Sequence, residues 1–208
     1  MIRAIAIVVL AALALGGCTS AKESDPARTA TEQLLISSAA DRAAQRLNLG
    51  IPPGTKVFVD AANFEGTDGK YAVGAIRDRF LRAGMALVAE RKDAAAVVEI
   101  RSGALSVDRE EFLIGIPDFV IPIPLAGEFT FPEIALYKDA KRRAIAKFAA
   151  VGYGAGNGRL ISSTAEQYGF SHKTEKTILL FLSWERTDAV PKEQPEEGGD
   201  HPPGVLKE

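Results

Sequence analysis

Residues 94–107, AAAVVEIRSGALSV, decide the fold. The run is rich in Val and Ile, which favour strands. Its charged residues, Glu99 and Arg101, lie two positions apart among apolar neighbours. Because residues two apart share one face of a strand, this pattern is typical of a strand with one buried face. We therefore predict a long strand over residues 94–107 with Glu99 and Arg101 directed outward.

The sequence upstream predicts what packs beside this strand. Residues 56–60, KVFVD, form a short β-rich run, and Met85–Ala89 form another. Between them a helical period places four residues on one face, namely Val73, Ile76, Phe80 and Leu81, and Gly84 is a helix-ending glycine. A helix between two strands predicts a right-handed crossover with parallel neighbours. The short turn at residues 90–93 predicts an added antiparallel partner.

A first helix is predicted before residue 50. Thr29 and Glu32 have the spacing of a capping box. The apolar face that follows is narrow and rich in alanine, comprising Ile36, Ala40, Ala43, Ala44 and Leu47. Small side chains allow the backbones of packed elements to approach closely. We expect this helix to lie tightly against a sheet or another helix.

Downstream, residues 144–153 and 159–170 read as two strands joined by GAGNG. The pair Asn157-Gly158 is a strong short-range signal for a hairpin, and no helix start follows the glycines as a phosphate-binding loop requires. Residues 177–184 fit either an edge strand or a membrane-facing segment. Together these elements predict an α+β fold in which helices pack on a mixed sheet of about five strands.

Residues 112–131, FLIGIPDFVIPIPLAGEFTF, interrupt this pattern with prolines too frequent for a helix or a central strand. We predict a Pro-rich apolar loop insertion. Its large side chains would form an exposed patch that binds a partner, through Ile116, Phe119, Ile121, Ile123, Phe129 and Phe131. The alternative is a loop packed over the domain's own core.

The chain starts with an apolar leader, MIRAIAIVVLAALALGGCTS, that has one early arginine and two glycines before its only cysteine. This layout is typical of a secretory signal, and the apolar run is shorter than the roughly 20 residues a membrane-spanning helix needs. The tetrapeptide Leu15-Gly16-Gly17-Cys18 resembles the lipobox of bacterial lipoproteins. That resemblance implies cleavage before Cys18, acyl chains on Cys18 and a membrane contact through this lipid anchor. Thr19, where retained lipoproteins carry aspartate, implies the outer membrane. The alternative is an ordinary cysteine behind an ordinary signal peptide.

These features predict four segments: a signal peptide over residues 1–17, a flexible tether over 18–28, an α+β periplasmic domain over 29–187 and a disordered, Pro- and Glu-rich tail over 188–208. The composition, 47% hydrophobic and 25% charged, suits a globular core. A formal charge of -2 argues against a nucleic-acid partner. With one cysteine, the domain can hold no internal disulfide.

Catalytic and metal-binding patterns are sparse. The chain has two histidines, His172 and His201, without the spacing of a zinc site, so we predict no metal and no cofactor. A hydrolase would have to be built from Asp60, Asp108 and His172, which is the weakest hypothesis. A basic cluster at Lys138, Lys141, Arg142 and Arg143 is expected to be a solvated face rather than a site for anionic lipid or polymer.

The order of elements from residue 56, including ERKDAAAVVEIRSGAL at residues 90–105, resembles periplasmic domains of envelope lipoproteins. These are the penicillin-binding-protein activator lipoproteins, the curli-secretion lipoprotein and the amino-terminal domain of the translocation protein TolB. The stretches DPARTATEQLLISSAADRA and ALYKDAKRRAIAKFA also resemble a family of uncharacterised bacterial lipoproteins. That family offers no established activity to transfer. The lipobox-like sequence and the lack of a catalytic pattern instead predict a non-catalytic binding or accessory module with an envelope protein partner. A subunit of an envelope secretion or pore-like assembly is the alternative.

Overall fold

The computed structural model describes residues 28–123 and 127–189. In this part of the chain, two helices pack on one mixed sheet of seven strands, and a two-stranded hairpin stands apart from that sheet. The predicted α+β class is therefore confirmed. The sheet has more strands than the five expected, since residues 159–170 contribute to two strands and residues 182–187 form a further strand at the edge.

The helices are α1 (Ala30–Arg46) and α2 (Gly69–Arg82). The strands, in chain order, are β1 (Lys56–Asp60), β2 (Ala86–Leu87), β3 (Ala96–Ile116), β4 (Phe119–Ile123), β5 (Gly127–Phe131), β6 (Ile134–Gly154), β7 (Leu160–Ser163), β8 (Gln167–Ile178) and β9 (Leu182–Thr187). In the described residues no helix is long and apolar enough to cross a membrane.

Strand β1 lies between β2 and β3 and is parallel to both. The predicted parallel crossover through α2 is thus confirmed, but the predicted antiparallel partner after residues 90–93 is wrong. The single 3₁₀ turn Arg91–Asp93 does not reverse the chain into a hairpin; it leads from one side of β1 to the other. Strand β2 is also shorter than predicted, with only Ala86 and Leu87 in the sheet.

Helix α1 starts and packs as its sequence predicts. The hydroxyl of Thr29 accepts a hydrogen bond from the amide of Glu32 at 3.2 Å, which satisfies one of the free amides at the helix start. The alanine-rich face is buried against β6 and β8. On α2, Ile76 and Phe80 are buried, but Leu81 is 53% exposed, so its predicted place on the buried face is wrong. Leu81 lies at the solvent edge of the helix.

Strands β3 and β6 are the longest elements, with 21 residues each, and they pair antiparallel almost throughout. The predictions that β3 ends at Val107 and that its partner starts at Ala144 are therefore wrong. Both strands continue beyond the helices. The charged residues that follow Val107 form cross-strand pairs there, such as Glu111 with Lys138. We call this outer part of the sheet the arm: residues 108–116 of β3, 134–143 of β6, 172–178 of β8, and β9.

The Pro-rich stretch is extended at the end of the arm. Residues of β4 and β5 pair antiparallel, from Phe119 with Phe131 to Ile123 with Gly127. The predicted loop is thus a hairpin, and Pro117 and Pro132 lie between it and the arm strands. Prolines fit at these breaks because they have no amide hydrogen to donate to a neighbouring strand.

The last predicted strands are rearranged. Residues 159–170 contribute to β7 and β8, both beside β6, and residues 177–184 span the end of β8, a three-residue turn and the start of the edge strand β9. Asp188 and Ala189, the first two residues of the predicted tail, are hydrogen bonded to the domain. The rest of the predicted tail, the predicted signal peptide, Cys18 and most of the predicted tether lie outside the described residues.

Candidate functional site

One face of the arm is charged. It continues the sheet face that α1 covers, and opposite charges alternate across its strands. Lys138 lies 2.8 Å from Glu111 and 2.7 Å from Glu133, and Lys173 lies 2.8 Å from Glu175 and 3.0 Å from Glu185. Hydrogen bonds from Lys138 and then from Arg109 lower the pKa of Glu111. These networks keep the charged face soluble and fix the pairing of the strands.

The predicted basic cluster does not form one patch. Because neighbours on a strand point to opposite faces, Lys138 and Arg142 lie on the charged face while Lys141 and Arg143 lie on the other. Each also has an acidic neighbour, for example Arg142 with Glu175 at 3.4 Å. The cluster is therefore a balanced surface of both signs.

The opposite face of the arm, which we call the outer face, becomes apolar toward its end. Two cross-strand rows carry large side chains there. The first contains Phe112 and Trp184 at its two edges, with the charged residues Asp139 and Lys176 between them. The second, closer to the end, contains Ile114, Tyr137, Ile178 and Leu182. The rows nearer the body are polar, so the outer face changes from charged to apolar along the arm.

The hairpin predicted to bind a partner is largely exposed. Ile116, Phe119, Ile121 and Phe129 are between 42% and 51% exposed, and the rings of Phe119 and Phe131 stack with centroids 5.0 Å apart. Phe131 itself is half-buried. Ile123 is the last residue of β4. The alternative of a loop packed over the domain's core is wrong, because Ile116, Phe119, Ile121 and Phe129 are exposed and lie outside the buried core cluster.

A second apolar feature lies within residues 177–184, where the sequence predicted an edge strand or a membrane-facing segment but not a turn. The turn between β8 and β9 consists of Leu179, Leu180 and Phe181, which are all more than half exposed, Phe181 at 77%. The amide of Leu179 donates to the carbonyl of Leu136, and that of Leu180 donates to the carbonyl of Ala135. The turn is thereby fixed beside the start of β6. We call this turn, the row of Ile114, Tyr137, Ile178 and Leu182 and the β4–β5 hairpin the apolar end.

The residues of the hydrolase hypothesis are not brought together. Asp108 and His172 both face Arg143 from paired positions on β3 and β8. Asp60 lies at the end of β1, and its carboxylate accepts a hydrogen bond from the amide of Ala62 at 3.0 Å, which is a turn role. In the described part of the chain, no group of three or more metal-ligating side chains is close enough to hold an ion.

His172 instead adjoins a structural cluster around Asp188. The Asp188 carboxylate accepts hydrogen bonds from the hydroxyl of Ser171 at 2.8 Å, the amide of His172 at 2.7 Å and the guanidinium of Arg42 at 2.8 Å. Burial alone raises the pKa of Asp188, but these three donors outweigh it and lower the pKa to about 2. Since the Ser171 hydroxyl donates to the carboxylate and is fully buried, the cluster ties β8 to α1.

Comparison with known families gives one match. A family model described as a family of unknown function (DUF6655) matches residues 12–164, which is most of the chain, and the chain therefore belongs to that family. No curated protein matches the chain.

Proposed function

We propose that this member of the DUF6655 family is a lipid-anchored protein of the bacterial cell envelope, held at the periplasmic face of the outer membrane through Cys18, which acts by binding and not by catalysis. The observation that carries the proposal is the apolar end. A large exposed apolar surface on an otherwise balanced, charged domain is typical of an interaction site. The lipobox-like sequence before Cys18 supports the location.

The apolar end suits a binding role because its side chains are presented on paired strands. Phe119 and Phe131 stack on each other, and the hairpin has two prolines at its base, which restrict the backbone. A preordered surface loses less conformational entropy when a partner docks on it. An envelope protein partner is thus expected to contact the hairpin at Phe119, Ile121 and Phe129.

Metabolic labelling tests the anchor. Cells that express the chain are supplied with a fatty-acid analogue, and the wild type should carry the label while Cys18→Ser should not. The variant is a matched control because it exchanges one atom and leaves the described domain intact. Unlabelled wild type would refute the anchor.

Crosslinking in intact envelopes tests the binding surface. A photoreactive residue at Ile121 should capture an envelope protein. The same probe at Leu160, which is 67% exposed but lies in β7 at the opposite end of the sheet, should not. Equal capture from both positions would argue against a specific surface.

A subunit of an envelope secretion or pore-like assembly is the second candidate, and the sheet edges favour it. Strand β1 pairs only with residues Ala96–Glu99 of β3, so within the described residues the arm part of β3 is an open edge, and β9 is the other. Glu110 and Arg186 lie at these two edges in one cross-strand row, and they would face each other if copies joined edge to edge. Mass measurement after detergent extraction separates the candidates: an assembly is many times the mass of one chain, whereas an accessory module is close to it.

A further inference from the structure

We infer that the turn between β8 and β9, with the row of Ile114, Tyr137, Ile178 and Leu182 beside it, enters the lipid bilayer that holds the anchored amino terminus, so that the domain contacts the membrane at two places. The inference rests on the proposed function and names lipid acyl chains as the partner of this part of the apolar end, whereas the β4–β5 hairpin is the part that the protein partner contacts. It is carried by the chemistry of one turn, by the position of the aromatic side chains and by the direction of α1.

The turn between β8 and β9 carries large apolar side chains at positions where an exposed hairpin turn usually has glycine or asparagine. Leu179 and Leu180 both have positive φ, 50° and 69°, in the left-handed region that favours glycine and asparagine. Elsewhere in the described residues, Asp68 is the one other residue with positive φ that is not glycine. A hairpin in water gains nothing from leucine at these positions. In lipid, the same leucines and Phe181 transfer apolar surface out of water.

Two amphipathic aromatic side chains lie just behind this turn. Tyr137 lies in the apolar row next to the turn, and Trp184 lies in the following row, where Asp139 and Lys176 begin the charged part of the outer face. Trp and Tyr are enriched where a protein passes from lipid hydrocarbon to water, because their rings are apolar and carry one polar group. From Trp184 to Phe181 the strand advances about 10 Å, which matches the depth of a shallow insertion.

The start of α1 points toward the same membrane. Arg46 donates to the carbonyl of Tyr168, and Arg42, one turn earlier, donates to the carbonyl of Phe170. Helix α1 therefore runs antiparallel to β8, and the start of α1 lies toward the apolar end. Measured from Ser38 toward the apolar end, the start of α1 lies about 12 Å away and the turn between β8 and β9 lies about 20 to 25 Å away.

The chain from Cys18 to Arg28 can bridge this difference. Its length sets an upper limit of about 35 Å on the distance it covers. This limit exceeds the gap of roughly 10 Å between the level of the helix start and that of the turn. The acylated Cys18 and the apolar end can thus reach one lipid leaflet together without any change in the fold.

Tryptophan fluorescence tests the inference, because Trp184 is the only tryptophan in the chain. The acylated full chain is reconstituted into phosphatidylcholine vesicles whose acyl chains carry bromine, a quencher that acts near contact. Trp184 should lose most of its emission in these vesicles, shift to shorter wavelength and resist quenching by aqueous iodide.

The variant Leu179→Asn/Leu180→Gly/Phe181→Ser keeps a favoured hairpin turn and removes its apolar side chains. It should still float with the vesicles through its acyl chains, yet lose quenching by bromine. Leu160→Ser, at the other end of the sheet, is the matched control and should behave as the wild type does.

The outcomes separate the two proposals. Wild type that floats with vesicles but is quenched by iodide and not by bromine has its arm in water, and this overturns the inference while the anchor stands. Trp184 shielded from both quenchers lies against protein, either a partner or a second copy, which also overturns it. Quenching by bromine without a fatty acid on Cys18 supports the inference and refutes the anchor. A chain that does not float refutes both.

Discussion

Exchanging Gly169 for alanine tests how closely α1 lies on the sheet. Gly169 of β8 is paired with Ala146 of β6, directly under the helix. A Cβ at this position would collide with the carbonyl oxygen of Ala39 and lie 2.6 Å from the amide nitrogen of Ala43. Both atoms belong to the helix backbone, so no side-chain rotation can remove the collision. The helix would have to move away by about 1.5 Å at this point to restore ordinary contact distances.

The loss of stability follows from the gap that this movement would open between α1 and the sheet. A gap of only about 0.5 to 1 Å already forfeits a quarter to a half of the dispersion energy of each affected contact, and overpacking costs about 1 to 3 kcal/mol. Since six buried residues of α1 lose contact together, we expect Gly169→Ala to lower the free energy of unfolding by about 3 kcal/mol. The midpoint of thermal unfolding should then decrease by roughly 6 to 12 °C.

Urea unfolding followed by circular dichroism measures this difference. Gly156→Ala is the matched control: its added Cβ meets nothing within 4 Å, and we expect a change below about 1 kcal/mol. If Gly169→Ala were as stable as the wild type to within about 0.5 kcal/mol, the close packing of α1 on β8 would be refuted.

Asp188→Asn should lower the free energy of unfolding at neutral pH by about 1 kcal/mol, a value reduced for the partial exposure of this carboxylate. Because the pKa of Asp188 is about 2 in the folded state and near 3.9 when unfolded, the wild type alone should lose this contribution as the pH falls from about 4 to 2, which urea titrations at each pH would detect. Thr29→Ala removes the cap of α1 and should cost about 1 kcal/mol, seen as a lower urea midpoint with an unchanged slope; an unchanged midpoint would contradict the capping role. Phe148→Ala empties a fully buried site whose ring lies 5.2 Å from that of Phe64, and should cost about 3 to 5 kcal/mol in the same assay, whereas a loss below 1 kcal/mol would contradict its place in the core.

The sequence was most informative where structure is local. The cap at Thr29 and the alanine-rich face of α1 depend on spacings within one helix, and both were predicted correctly. The lengths of β3 and β6 were not predicted, because Asp108, Arg109, Glu110 and Glu111 read as a solvated loop. Their strand conformation depends on partners far away in the chain, such as Lys138 for Glu111.

The candidate site was predicted in part. Apolar composition identified the hairpin around Phe119 and Phe129, but its prolines suggested a loop, since the pairing of β4 with β5 depends on where the prolines fall in the register. Residues 177–184 were identified as an apolar segment, but the turn at Leu179 and Leu180 was not predicted. Turn prediction relies on glycine and asparagine, and here neighbouring strands hold leucines in the left-handed region.

The length of β3 and β6 also has a consequence for folding kinetics. The pairs that build the core, such as Ala96 with Gly154, are joined in the chain only through the whole arm and its hairpin. Closing so long a segment before its contacts form is slow, and sheets dominated by distant pairings fold in milliseconds to seconds. During that time the side chains around Phe119 and Phe181 are exposed to water on an incompletely paired sheet. We therefore expect the unfolded chain to aggregate through these side chains when it is refolded at high concentration.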